Sequence, residues 1–253
     1  MPPFTHMPKY SEKKIKKERN LEVNFESYVY SSSDEIAEAL KRKQVDFIGL
    51  GINEYFSLKN RFDLMPCLAS TTDDGIFNNY ILIVSKTSGG KELKSLKGKT
   101  LALPSVNSHP LMKIWLSNLL HQKGLPAQEK FFKKINSYDK EANTVHSVFF
   151  KNNDCAIVRL ESFNTLCELN PQLEKSLEII EMSPKLLLSM TCYTKGADQE
   201  LIDILLKESQ KLHHSTEGKQ ILSVFKIEKV SEIHEDDLLT SKQMFDYYYK
   251  NIK

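Results

Sequence analysis

Three stretches of this 253-residue chain place hydroxyl and amide side chains where helices are expected to begin: 31–33, 105–109 and 137–139. The first turn of a helix leaves backbone N–H groups without intrahelical partners, at the positive end of the helix dipole. Hydroxyls added to such a start make a receptor for an anion. In an open α/β sheet the helix starts lie at the carboxyl ends of strands, where ligands bind. Ser32, Ser33, Ser105, Asn107, Ser108, His109 and Ser137 are therefore the residues whose type and spacing could hold a small anion. N-capping alone accounts for any one of these stretches. Taken together, the three fit ligand binding as well as they fit capping.

Covalent and metal chemistry find no comparable support. The chain has no G-x-S-x-G elbow, phosphate-binding P-loop, G-x-G-x-x-G or H-E-x-x-H. Gly89-Gly90-Lys91 lacks P-loop spacing and reads as a turn. His213 and His214 are adjacent, so on a helix they face apart and make poor co-ligands. Glu235-Asp236-Asp237 reads as the acidic first turn of a helix. Cys67, Cys155, Cys167 and Cys192 are widely spaced, with no C-x-x-C. Cys155 and Cys192 fall in apolar, strand-like stretches and read as buried thiols; one disulfide stays open. A binding protein without metal or cofactor is the expectation.

Composition narrows the partners. With 35 Lys+Arg against 33 Asp+Glu the net charge is +2, which argues against a dedicated nucleic-acid binder. A hydrophobic share of 40% with 27% charged residues suits a globular core and is too apolar for a disordered chain. The longest tight apolar clusters, Ile81–Val84 and Leu186–Leu188, fall far short of the roughly 20 residues of a spanning helix. The basic stretch Lys9–Arg19, with six Lys/Arg and two Glu, reads as a solvated helix face.

The elements that must position these residues alternate between strand and helix, which predicts an α/β architecture. Leu21–Tyr30 alternates apolar and polar residues as a strand does. Ser32 and Glu35 form a capping box ahead of Ile36, Ala39 and Leu40. Asp46–Leu50 reads as a buried parallel strand, and Asn79–Lys86 as another strand. Leu93 and Leu96 share one helical turn closed by Gly98, and Thr100–Leu103 is a strand. Asn107 or Ser108 can cap a helix that runs to Lys123, stopped by Gly124 and Pro126. Ser137 can cap a helix carrying Ala142, Val145 and Phe149 on one face. Cys155–Val158 is a strand followed by a helix to Glu168. Leu177–Met182 and Leu187–Tyr193 read as strands joined across Ser183-Pro184-Lys185. The remainder, Gln199–His213, Glu217–Val224 and Ser241–Tyr249, is helical.

In this order the segments resemble the phosphonate/phosphate/phosphite substrate-binding proteins of ABC transporters, from about Tyr30 to Lys250. SSSDEIAEALKRKQVDFIGLG is similar to that family's first helix and second strand. NNYILIVSKTSGGKELKSLKGKTLALP resembles its crossing strand, the S-L-x-x-L-K-G-K turn and the strand that enters the second lobe. PSVNSH stands at the Ser/Thr-rich phosphonyl-binding loop, ANTVHSVFFKNNDCAIVRLES at a stretch ending in a second-lobe contact, and STEGKQILSVFKIEKVSEIHEDDL at the C-terminal eGk-x-iL region. The resemblance implies a two-lobed type II periplasmic-binding fold, each lobe a mixed, mostly parallel sheet flanked by helices. Residues 1–82 and 189–253 would form the first lobe and 83–188 the second.

By position, Tyr80 matches an aromatic contact on the crossing strand, Asn107 and Ser108 the hydroxyl-rich loop, and Glu161 a carboxylate that faces the amine of aminophosphonates. Ser33 and Tyr138 stand where the family usually has tyrosine and histidine. Val106 replaces a frequent serine, and no acid follows Ser183-Pro184. The expected partners are a small anion, held in the inter-lobe cleft, and an ABC permease, in an extracytoplasmic compartment. A ligand-sensing receptor domain, or less readily an enzyme on the same scaffold, would use the same fold. MPPFTHM resembles the loop after the family's first strand, which leads us to expect an upstream extension carrying that strand and an export signal or anchor.

Overall fold

The computed structural model describes residues 12, 15–16, 22–72, 75–88, 90–105, 110–224 and 227–253. Its elements run α1 (Ser33–Lys41), β1 (Phe47–Gly51), α2 (Ile52–Leu58), β2 (Leu64–Thr71), β3 (Tyr80–Ser85) and β4 (Thr100–Pro104). There follow α3 (Pro110–Gln122), α4 (Gln128–Phe131), β5 (Lys134–Tyr138), α5 (Glu141–Phe149), β6 (Cys155–Arg159) and α6 (Leu160–Leu169). The last are α7 (Gln172–Ser176), β7 (Leu177–Met182), β8 (Ser189–Thr194), α8 (Gln199–Gln210), α9 (Thr216–Val224), β9 (Lys229–Glu232) and α10 (Leu239–Asn251). The chain divides into two units, Met1–Ile76 with Ser189–Asp237 and Phe77–Leu188 with Leu238–Lys253.

In the first unit the sequence signals at α1 act as expected. Ser32 Oγ accepts from the Glu35 N–H at 3.2 Å, while the Glu35 carboxylate reaches back to the Ser31 N–H at 2.7 Å. The reciprocal bond of the capping box thus lands one residue earlier than usual. Acidic Asp34 and Glu35 open the helix and Lys41 closes it, in line with its dipole. Ala37, Ala39 and Leu40 are its buried residues. The sheet runs β1-β8-β2-β9, and all its described pairs are antiparallel. β1 therefore has an antiparallel neighbour, β8, rather than the parallel one that its apolar run implies. Cys67, Leu68, Leu212, Leu222 and Val230 form a core cluster of this unit.

Leu21–Tyr30 is not a strand. Leu21 lies outside the described residues, and 22–30 carry no regular structure. The Phe25 N–H donates to the Glu12 carboxylate at 2.7 Å instead of to a ladder. Tyr28 and Val29 remain 64% and 67% exposed. Alternation favours a strand only where a neighbour completes the backbone pairing, and 22–30 have no such neighbour among the described residues.

In the second unit the sheet runs β5-β4-β6-β3-β7, with β4 parallel to β5 and β6, and β3 antiparallel to β6 and β7. The apolar run of β3 is explained by burial on both faces: Tyr80 to Val84 are all buried. Ile81 and Ile83 face a core shared with Val145 and Val148 of α5 and Phe163 of α6. Tyr80 stacks on Trp115 of α3, ring centroids 6.3 Å apart. The C-terminal helix α10, which the sequence reading grouped with the first lobe, packs on α3. Asn118 Nδ2 donates to the Met244 carbonyl at 2.7 Å and Ser241 Oγ to the Leu187 carbonyl at 3.1 Å.

Ser137 does not cap a helix. It sits inside β5, opposite Leu103, and α5 begins at Glu141 behind Lys140, which gives no side-chain cap. The parallel ladder to β4 continues through Tyr138, whose carbonyl accepts the Ser105 N–H at 2.8 Å. That ladder holds Ser137 extended, so capping loses.

All four cysteines are free thiols, with Cys67, Cys155 and Cys192 buried and Cys167 half-buried. Burial pushes Cys67 and Cys192 up to about 12 and Cys155 higher still. The thiolate is the reactive form, so these three are protected twice, by access and by protonation. A thiol reagent at neutral pH should titrate Cys167 alone in the folded protein and all four cysteines after unfolding. More than one fast thiol in the native protein, or a fast phase that survives Cys167→Ser, would count against this packing. Among the described residues no helix is long and apolar enough to cross a membrane.

Candidate functional site

Because β4, β5 and β6 are parallel, their carboxyl ends share one edge of the second unit's sheet. Antiparallel β3 brings its first residue, Tyr80, opposite Arg159 at that edge. Tyr80, Ser105, Tyr138, Arg159 and, in the first turn of α6, Glu161 are thereby gathered by topology from far-apart sequence positions. This is where ligands bind in α/β sheets.

Arg159 is the most highly connected of them. Its backbone N–H donates to Glu141 Oε1 at 2.8 Å, and its Nε and Nη2 donate to Glu141 Oε2 at 3.0 and 2.8 Å. Ser162 Oγ also donates to Glu141 Oε2. Burial alone would raise the Glu141 carboxyl, but the guanidinium, the Ser162 hydroxyl and the Arg159 N–H outweigh it and hold the group below its ordinary range. Burial likewise opposes the Arg159 charge, and Glu141 and Glu161 more than offset it. The pair is thus fixed in place, with both carboxylate oxygens of Glu141 occupied.

Among the described residues Glu161 is held on one side only. Its Oε2 accepts from Asn78 Nδ2 at 3.2 Å and lies 3.9 Å from Arg159 Nη1. Tyr80 is fixed through its backbone: its N–H donates to Ser183 Oγ at 2.8 Å and its carbonyl accepts the Ser183 N–H at 2.8 Å. Asn79 Nδ2 donates to the Ser183 carbonyl at 2.7 Å. The Tyr80 hydroxyl is pushed above its ordinary value by burial, with nearby Arg159 opposing.

The other expected site residues fall differently. Tyr138 brings its backbone to the edge, but its hydroxyl accepts from Asn153 Nδ2 at 2.7 Å, and Asn153 precedes β6 at the opposite end of the sheet. Ser137 is exposed on edge strand β5. Ser32 and Ser33 belong to the first unit, where both are exposed and Ser32 caps α1. Asn107, Ser108 and His109 lie outside the described residues. Sequence reasoning missed Glu141, Asn78 and Arg159. The one available signal was Arg159 as a lone charge closing the apolar run Cys155–Val158. No group of three His, Cys, Asp or Glu able to hold a metal occurs among the described residues.

Residues 18–238 match the family model for the phosphonate periplasmic substrate-binding protein of ABC transporters. The chain belongs to that family. Solved structures with the same fold include a Xanthomonas citri protein bound to ATP, 13% identical, with a TM-score of 0.74 over 98% of this chain and 92% of that one. A binding-protein component of an ABC phosphonate transporter from Pseudomonas aeruginosa is 17% identical, with a TM-score of 0.65 over 99% of this chain and 83% of that one. PhnD1 from Prochlorococcus marinus, in complex with methylphosphonate, is 15% identical, with a TM-score of 0.65 over 97% and 92%. No curated protein matches the sequence.

The fold is therefore that of the type II periplasmic binding proteins, sheets flanked by helices; among the described residues the first unit's sheet is antiparallel and the second unit's is mixed, with two parallel and two antiparallel pairs, rather than mostly parallel in each. Within this phosphonate-binding family, the edge residues that stand out here are hydrogen-bond donors and a half-free carboxylate. The cation at the edge, Arg159, is already committed to Glu141.

Proposed function

We propose that the protein captures a small phosphonate- or phosphate-like anion outside the cytoplasm and delivers it to an ABC permease, without chemical change to the ligand. The observation that supports this reading best is the shared carboxyl-end edge in a chain of the phosphonate-binding family. It assembles Tyr80, Ser105, Arg159 and Glu161 around fixed backbone. Asn107, Ser108, His109, Ser137 and Tyr138 are further proposed contacts of the second unit, and Ser32 and Ser33 are proposed contacts of the first unit taken by itself. Uncharged donors and backbone N–H groups replace the anion's hydration shell, so no large basic excess is required, consistent with a net charge of +2.

A thermal-shift series over methylphosphonate, phosphite, phosphate, 2-aminoethylphosphonate, sulfonates and amino acids tests this. A ligand present at a hundredfold excess over its Kd stabilises the folded state by about 2.7 kcal/mol. One or more of the phosphorus oxyanions should raise the melting temperature, and the amino acids should leave it unmoved. Stabilisation by amino acids alone would replace the reading, and so would turnover of a bound phosphonate.

A further inference from the structure

We propose that the amino-end edge of the second unit's sheet is a membrane-docking face, which adsorbs to anionic phospholipid through a group of lysines beside exposed Phe150 and Leu169. This edge lies across the sheet from the candidate ligand site, and the inference does not depend on which ligand is captured there.

Charge is divided unevenly along the chain. The residues of the second unit hold 18 Lys+Arg against 11 Asp+Glu, those of the first 17 against 22. The near-neutral total therefore hides one unit of +7 and one of −5. Topology concentrates the excess. Strands β4, β5 and β6 run parallel, so the residues that enter them share one edge. Thr100 pairs with Lys134, the Lys133 N–H donates to the Lys99 carbonyl at 2.9 Å, and the Gly98 N–H donates to the Phe131 carbonyl at 2.8 Å. Lys97, Lys99, Lys130, Lys133 and Lys134 are thereby brought to that edge, and Lys151 lies in the turn that leads into β6. All six are exposed. Two acids, Glu129 and Asp154, share these stretches. Asp154 is already spent: its Oδ2 accepts the Thr100 N–H and Oγ1 at 2.7 Å each, and Lys99 Nζ lies 3.9 Å from its Oδ1. Among the described residues the other five lysines form no ion pair.

The same edge carries apolar side chains. Helices α5 and α6 both start at the carboxyl edge, behind β5 and β6, and so both end at the amino edge. Phe150, which closes α5, is 66% exposed, and Leu169, the last residue of α6, is 79% exposed. Lysines around exposed Phe and Leu make a surface suited to the boundary between headgroups and acyl chains.

Residue type decides the occupant. Protein interfaces are depleted of lysine and enriched in arginine. Fixed phosphates, as on nucleic acid, are read by the planar fork of arginine. None of the described arginines is here: Arg42 and Arg61 belong to the first unit, and Arg159 is bound to Glu141 at the other edge. A lipid surface asks for no fixed geometry, so point charges on flexible stems suffice, each worth about fivefold in affinity. Docked in this way, the carboxyl edge with Tyr80 and Arg159 faces away from the lipid and stays open to ligand.

Sedimentation of the full chain with vesicles tests the inference. Vesicles of phosphatidylcholine and phosphatidylglycerol in equal parts should bind it, and vesicles of phosphatidylcholine alone should not. Raising salt from about 0.1 M to about 1 M, which shortens the Debye length from about 10 Å to about 3 Å, should release it. Lys97→Gln, Lys130→Gln, Lys133→Gln and Lys134→Gln combined should weaken binding at least about thirtyfold, the share of two or more lysines. The same change of charge in the first unit, Lys195→Gln, Lys207→Gln, Lys219→Gln and Lys229→Gln, should leave binding within about threefold of the natural protein. Phe150→Trp adds a reporter at the face itself, since Trp115 is buried; its emission should move to the blue on the anionic vesicles alone. No binding to anionic vesicles, equal binding to neutral ones, equal losses from the two lysine sets, or an unmoved emission overturns the inference. So does a need for the four lysines in binding the detergent-solubilised permease while vesicles stay bare, which would make the edge a protein contact. Any of these leaves the reading of the ligand site standing, because ligand binding is measured without vesicles.

Discussion

Glu141→Gln is expected to destabilise the protein by about 2–3 kcal/mol at neutral pH. Removing one partner of a buried ion pair costs roughly 3–5 kcal/mol, because the other charge is left without compensation. Here Arg159 is 31% exposed, so water softens the penalty and the lower figure applies. Glutamine keeps the size of the side chain and one acceptor, but it loses the charge and cannot receive four donors. The dependence on pH has a definite sign. The folded-state value of Glu141 is depressed, so its contribution is complete above the ordinary carboxylate range and is lost as pH falls through the folded value. The gap between natural protein and variant should therefore be widest near neutrality and close on acidification to below about pH 4. Urea unfolding at several pH values measures it. Equal stability at neutral pH, or a gap that does not change with pH, would show that the pair does not hold this edge together. Replacing both Glu141 and Arg159 by apolar residues should cost less than the single change, since no stranded charge remains.

That pair also shows where sequence reasoning stops. Glu141 and Arg159 are 18 positions apart, on a helix start and a strand end, and no spacing rule links them. Only the topology that lays α5 beside β6 does. By contrast β3, β4 and β6 were legible because they are buried on both faces and so read as unbroken apolar runs. The capping box at Ser32 and Glu35 was legible because its partners are three residues apart. β9, Lys229–Glu232, is half charged, and pairing with β2 rather than its own pattern makes it a strand. Residues 22–30 fail in the opposite direction, with a strand pattern and no ladder. Of the proposed contacts, Tyr80 and Glu161 were reached through the family resemblance. What the resemblance left out was the state of Glu161: which of its oxygens is spent, and on what.

The family resemblance also marked STEGKQIL without saying why its glycine matters, and the structure supplies a reason that can be tested. Gly218 lies in the first turn of α9, with its N–H donating to the capping Ser215 Oγ at 3.0 Å. A Cβ added there would meet the Leu212 carbonyl carbon at 2.7 Å and Ser215 Oγ at 2.8 Å, with the Leu212 carbonyl oxygen closer still. The obstacle is backbone, which cannot swing aside as a side-chain tip can. In an open helix Gly→Ala gains about 1 kcal/mol of helix propensity. Overpacking against fixed atoms costs about 1–3 kcal/mol, occasionally more, and here it acts at the turn that joins α9 to the cluster around Leu212 and Leu222. The clash should win. Gly218→Ala is expected to lose about 2 kcal/mol net, a fall in Tm of roughly 4–8 °C for a chain of this size. Gly49 provides the control: it lies in β1 with nothing within 4 Å of an added Cβ, so Gly49→Ala should be neutral or slightly stabilising. If both substitutions behave alike in thermal melts, the glycine in this motif is not there to let α9 approach Leu212.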